Sequence, residues 1–149
     1  MNEELKKQFI IVKSLVLNKK GEILLVKRKK EELKEAHNKW EFTGGKVEFG
    51  ENPEETAKRE AKEESGYQIE VDYLLPKILS FKWILPERES QQILICYVCN
   101  LVGGDSLLSD HGVSEIKWFN KNEMPKKEEC LPGTIEFLEI YFKNREKCY

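Results

Sequence analysis

Residues 45–67 read GKVEFGENPEETAKREAKEESGY, and no other stretch restricts the fold of this chain so strongly. Asn52 is placed to cap a helix that carries Pro53 at its first position, and Glu55, three residues on, supplies the returning half of a capping box. Gly66 offers the left-handed residue at which helices commonly stop, so the pattern predicts a helix over 53–65. With about 100° between successive residues, Pro53, Ala57 and Ala61 form a small-residue stripe suited to close packing on a sheet.

The other side of that helix collects Glu54, Glu55, Lys58, Arg59 and Lys62, with Glu54–Lys58 and Glu55–Arg59 spaced as favourable ion pairs on a solvated face. Glu60 and Glu64 project instead within about 20° of Pro53, beside the apolar stripe, and Glu63 flanks them. Like charges at this spacing cost a helix roughly 0.2–0.5 kcal/mol, and carboxylates buried without partners cost more. A cation is therefore expected among them. Mg²⁺ suits the position, because hard cations take oxygen ligands and bind through a few carboxylates together with substrate phosphates. Glu51 adds a carboxylate just before the helix, Arg59 is placed to hold it by a two-pronged pair, and Gly44 and Gly45 let the backbone approach where a side chain would collide.

On these residues the chain resembles the Nudix hydrolase family, whose box runs G-x5-E-x7-R-E-U-x-E-E-x-G-U with U a bulky aliphatic. Gly45, Glu51, Arg59, Glu60, Ala61, Glu63, Glu64 and Gly66 fall on its fixed positions; Ala61 is small for a U, and the last U is Tyr67. The preceding WEFTGGKVE is similar to the lead-in of MutT-type members with Thr43 in place of proline, and Trp118-Phe119 through Glu123-Met124-Pro125 also look Nudix-like. The resemblance implies an α+β fold, a mixed sheet sandwiched between helices in three α/β/α layers, as one domain over 1–149. It also implies a nucleotide substrate and, for many relatives, a homodimer.

Composition agrees with that class. The 149 residues suit one domain, and 25 Lys+Arg against 27 Asp+Glu leave a net charge of −2, so no global field points to nucleic acid. A polyanionic small molecule would have to be held by local charge and metal. The polar start MNEELKKQF lacks the apolar core of a leader, and no apolar run reaches membrane-spanning length, which predicts a soluble, cytoplasmic protein. Cys96 and Cys99 lie in a predicted strand, where residues three apart face opposite ways, so they read as buried thiols rather than a zinc knuckle; Cys130 and Cys148 read as ordinary loop and tail residues.

No repeat or linker divides the chain. Strands are expected over 9–17 and 22–27, joined as a hairpin through Asn18-Lys19-Lys20-Gly21, and then over 68–75, 78–84, 93–101 and 115–119. Residues 29–38 read as a charged loop or short helix, 40–42 lead into the glycine pair, and 134–147 form an amphipathic helix with Ile135, Leu138 and Phe142 on its apolar face.

Phosphoanhydride hydrolysis needs phosphate charge neutralised, a water oriented and a leaving phosphate stabilised. The expected metal set is Glu60 and Glu64 as principal ligands, Glu63 as ligand or base through water, a Gly44 or Gly45 carbonyl, and Glu51 as ligand or support, with Arg59 assisting. Mg²⁺ is the expected ion and Mn²⁺ a substitute. Relatives differ in which residue is the base; Asp110, His111 and Glu115 are candidates outside the box, Glu115 the preferred one. For the substrate, Arg28 reads either as a phosphate or base contact or as a surface charge; Trp40, Phe42 and Trp83 as a stacking wall or as core; and Glu41 as an acceptor for a purine edge. No asparagine lies between Asn122 and Asn144, which weighs against the oxidised guanine preferred by MutT-like readers, and Pro76 and Pro86 miss the spacing seen in ADP-ribose-cleaving relatives. The leading reading is an Mg²⁺-dependent hydrolase that converts a nucleoside triphosphate, with an ordinary or oxidised base, to monophosphate and pyrophosphate. The alternatives are cleavage of another nucleoside diphosphate derivative, such as ADP-ribose or a dinucleoside polyphosphate, and a non-catalytic nucleotide sensor.

Overall fold

A computed structural model describes residues 5–109 and 111–146; Asp110, Lys147 and Cys148 lie outside them. Among the described residues eight strands share one sheet. β1 (Lys6–Leu17) is paired in parallel with β7 (Glu89–Gly104) over twelve positions, from Lys6↔Glu89 to Leu17↔Asn100. On the far side of β7, β5 (Tyr67–Leu74) covers its C-terminal half and β6 (Leu79–Ile84) its N-terminal half, both antiparallel. That double load explains why β7 extends well beyond the expected 93–101.

The expected opening hairpin exists only at its base. β1 and β2 (Ile23–Arg28) pair at Leu17↔Ile23 and then diverge, β2 turning to β8 (Val113–Phe119). Into the gap goes the lead-in to the glycine pair: β3 (Trp40–Glu41) pairs with β2, and β4 (Thr43–Lys46) pairs with β1. Residues 40–46 thus bridge the two diverging strands, and Glu41 stands at the crossing.

α1 (Pro53–Ser65) forms over the predicted span, but Asn52 caps it through Glu54 and the capping box expected with Glu55 does not form. Asn52 accepts a bond from the Glu54 N–H at 3.0 Å, and Gly66, at φ +84, donates its N–H to the Lys62 carbonyl. The helix lays Ala57 and Ala61, both fully buried, on one face of the sheet, where Val16, Leu24, Ile69 and Cys99 pack. α2 (Thr134–Glu146) covers the other face with Phe137, Leu138 and Tyr141 against Leu15, Leu25 and Cys96. Its buried stripe is centred there, while Ile135 and Phe142 only flank it. The three-layer α/β/α sandwich with a mixed sheet is therefore the architecture. Cys96 and Cys99 do face opposite layers; both are buried free thiols pushed well above the ordinary thiol range by burial. Cys130 is buried as well, bridging to Trp40, and is more than a loop residue. No helix among the described residues is long and apolar enough to cross a membrane.

Candidate active site

The C-terminal half of α1 packs on β4, and the two, with Glu41 of β3, line one side of a cleft of about 610 Å³. Arg59 organises one wall. Its Nε and Nη2 grip the two oxygens of Glu51 at 2.8 and 3.1 Å, the two-pronged pair expected from sequence, while Nη1 donates to Glu60 at 2.9 Å and to Glu63 at 3.3 Å. Hydrogen bonds from Arg59 and Thr56 hold the Glu51 carboxyl down to about 2. Glu60 goes the other way: burial raises its pKa, Glu63 adds to that, and Arg59 only partly offsets it. The surface pairs drawn from helical spacing do not form as expected, since Arg59 turns from Glu55 toward Glu51 and Lys58 reaches Glu70 at 3.1 Å.

The back of the cleft is a chain of buried charge. Glu41 is 3% exposed and Glu64 4%. Arg28 spans them, with Nε 2.6 Å from Glu41 and Nη2 2.9 Å from Glu64, and Lys13 pairs with the other Glu41 oxygen. Glu64 also accepts the Gly44 N–H at 2.7 Å. The Arg28 backbone is fixed by bonds to residues 38 and 39 at 2.8 Å each, which aims its side chain inward. Burial would raise the Glu41 pKa, yet Lys13 and Arg28 together hold it below the usual carboxylate range. Glu64 has only a share of Arg28, and burial and the nearby Glu41 charge push it up to about 7.

These contacts reassign several expected roles. Glu64 is tied to Arg28 and the Gly44 N–H, and Glu51 to Arg59 and Thr56, whereas Glu60 and Glu63 share a single Nη1 of Arg59; Glu60, Glu63 and Glu64 all line the cleft. Gly44 is required by sheet pairing: a Cβ there would run into the Val12 carbonyl of β1. Gly45 is required by the acidic wall, since its Cβ would stand 2.5 Å from the Glu60 carboxylate. Glu41 is not a spare acceptor, because both its oxygens carry ion pairs. Arg28 is no loose surface charge. Phe42, 1% exposed, belongs to the core with Trp40, whose ring meets Phe119 edge-on at 5.0 Å. Glu115 is exposed and paired to Lys27 at 3.4 Å; Lys27 lies over the Trp40 ring, and Glu115 does not line the cleft. His111 does line it, and its carbonyl accepts a bond from Arg28 Nη1 at 3.4 Å. Trp83 is half-buried on the cleft wall. Lys13 was missed; the signal was a lysine interrupting the apolar run FIIVKSLVL.

Among the described residues no three acidic, histidine or cysteine side chains converge on one point. The donor chemistry nonetheless fits a hard divalent cation: Glu60 and Glu63 offer carboxylate oxygens beside the side-chain-free face of Gly45, and the one Nη1 of Arg59 that they share offsets only part of their charge. Proteins of the family generally use divalent metal ions.

Relatives extend the comparison. A protein of Bacillus subtilis (strain 168) named "Putative 8-oxo-dGTP diphosphatase" is 33% identical over 111 residues, 74% of this chain and 66% of that protein. An "ADP-ribose pyrophosphatase" of Methanocaldococcus jannaschii is 33% identical over 115 residues, 74% of this chain and 62% of that one. This chain therefore spans less than two thirds of the length of either relative. The crystal structure of a MutT protein from Methanosarcina mazei Go1 superposes with a TM-score of 0.67 and 26% identity, over 97% of this chain and 98% of that one. A NUDIX hydrolase from Nitrosomonas europaea, at 20% identity, shares the fold with a TM-score of 0.72 over 92% and 90% of the two chains. The NUDIX domain profile matches residues 8–139, from β1 through most of α2, and the chain belongs to that family.

Proposed function

We propose that this chain hydrolyses a phosphoanhydride bond in a nucleoside diphosphate derivative, with a nucleoside triphosphate as substrate, monophosphate and pyrophosphate as products, and Mg²⁺ or Mn²⁺ as cofactor. One observation carries the reading: a single cleft sets the Glu60–Glu63 carboxylate pair, beside Gly45, together with the half-buried cations Arg28 and Lys13. Bound at Glu60 and Glu63, a divalent ion would neutralise phosphate charge and ease deprotonation of a water. The chain's own groups supply the rest. Arg59 and Glu51 fix the carboxylate pair in place. Glu63, the more exposed of the two, orients the attacking water. Arg28 and Lys13, backed by Glu41 and Glu64, turn positive charge toward the phosphates, and Trp83 offers a flat face to the base.

A second reading keeps the site and changes the leaving group. It is supported by the matching identity of the relatives named for 8-oxo-dGTP and for ADP-ribose.

Turnover of the purified protein on nucleoside triphosphates, ordinary and oxidised, ADP-ribose and dinucleoside polyphosphates, with Mg²⁺ or Mn²⁺, tests both readings. Metal-dependent release that falls by at least about a hundredfold in Glu63→Gln supports hydrolysis, and the best substrate separates the two. Nucleotide binding without product under every metal would replace hydrolysis with sensing.

A further inference from the structure

We infer that Gln92 determines which base this cleft accepts, reading the base edge from the cleft floor. The inference rests on the nucleotide reading above. Strand register puts Gln92 of β7 opposite Phe9 of β1 and opposite Phe81 of β6, so an amide stands between two aromatic rings in one row across three strands. Phe9 and Phe81 pack on the core beneath α2, which places the row on that face of the sheet, and Trp83 follows two residues along β6. Phe9, Trp83, Gln92 and Leu131 all line the cleft, and the Lys46 ammonium lies 3.6 Å over the Phe9 ring, which leaves Trp83 and Leu131 as the uncovered apolar surfaces beside Gln92. Flat apolar surfaces of this kind suit a heteroaromatic ring, whereas a sugar or a second phosphate gains little from them.

Gln92 differs from its neighbour in one decisive way. Gln91, on the opposite face, is fully engaged, accepting from Gln8 at 2.6 Å and donating to Ser80 at 3.0 Å. The half-buried amide of Gln92 makes no side-chain hydrogen bond to any described residue. That amide is not among the fully buried polar atoms, so it opens to the cleft with its bonding capacity unspent on protein, and an amide presents a donor and an acceptor side by side, the pattern of a base edge. Behind Gln92 and Trp83 a recess of about 40 Å³ runs under the sheet toward Phe137, with room for a water or a single exocyclic substituent. Lys13, Glu41, Trp83, Gln92 and Leu131 border both spaces, so a base seated on Gln92 would have its phosphates directed to Arg28.

The test needs no turnover. Metal-free protein is titrated with AMP, GMP, CMP and UMP, following tryptophan fluorescence, in wild type, Gln92→Leu and Gln92→Glu. Wild type is expected to rank the four bases. In Gln92→Leu the preferred base should lose about tenfold in affinity and the ranking should collapse to within about twofold. Gln92→Glu keeps the length, loses the donor and should re-order the series; it carries the test if the leucine variant fails to fold. Equal binding of all four bases by wild type, no binding of any, or a ranking unchanged in a variant with wild-type melting would each overturn the inference. Turnover measured alongside separates the two ideas. A Gln92-dependent ranking without hydrolysis removes the hydrolase reading alone, and hydrolysis with a Gln92-independent ranking removes this one alone.

Discussion

Glu41 and Glu64 share one guanidinium, with Arg28 2.6 Å from the first and 2.9 Å from the second, yet the two carboxyls titrate in opposite directions. Lys13 makes the difference, because it pairs with Glu41 alone. Glu64 therefore carries the unfavourable side of the arrangement, a buried carboxylate with half a counter-ion.

That asymmetry sets a pH dependence. Between the ordinary 4.5 and the raised value of about 7, the native state holds more of the Glu64 proton than the unfolded chain does. This contribution to stability is full below 4.5 and is lost as pH rises through about 7. In metal-free protein, the melting temperature of Glu64→Gln should therefore gain on wild type as pH is raised across that window. A constant gap would show that Glu64 is ionised throughout.

Glu41 has the opposite sign: its lowered pKa adds stability above the ordinary carboxylate value, which is lost on acidification. Glu41→Ala strips Lys13 of its partner and half of the pairing from Arg28. A loss of about 3–5 kcal/mol in urea unfolding at neutral pH is expected, shrinking as the solution is made acidic.

The adjacent glycines should respond differently to one added methyl. In Gly44→Ala the new carbon meets the Val12 carbonyl and the Lys13 Cα, so the β1–β4 ladder must move; a loss of roughly 2–4 kcal/mol is expected. In Gly45→Ala the carbon meets only the end of the Glu60 side chain, 2.5 Å away, which can swing aside. Stability should change by less than about 1 kcal/mol while metal-dependent turnover is abolished. Urea titration and a turnover assay on both variants separate the two roles.

Arg59 and a divalent ion answer the same need, positive charge among Glu51, Glu60 and Glu63. Arg59→Ala should melt below wild type without metal, and Mg²⁺ should recover a larger part of its stability than it adds to wild type. Equal Mg²⁺ responses in the two proteins would place the ion elsewhere.

The helix of the box was legible, because Asn52, Pro53 and Gly66 act on the backbone within a few residues of themselves. So was the reach of Arg59 to Glu51, since both lie on one short segment. What escaped the sequence depends on partners far along the chain. Strand alternation puts Trp40 and Phe42 on one face, with core the default reading, but nothing local announces that residues 40–46 fill a gap between β1 and β2. Glu115 looked well placed by its distance from Trp118, yet register with Lys27 of β2 turned it away. Lys13 reads as an oddity within its strand, and its purpose appears only when Glu41 arrives opposite.

β1 and β2 touch at a single register position before they part. Across the opening, Lys13 on one strand and Arg28 on the other are tied together through Glu41. The cations that line the cleft are thus also the fastening between two halves of the sheet. Removing either cation to reshape the cleft would loosen the molecule along its seam, so a changed charge in the cleft and retained foldedness are in direct competition.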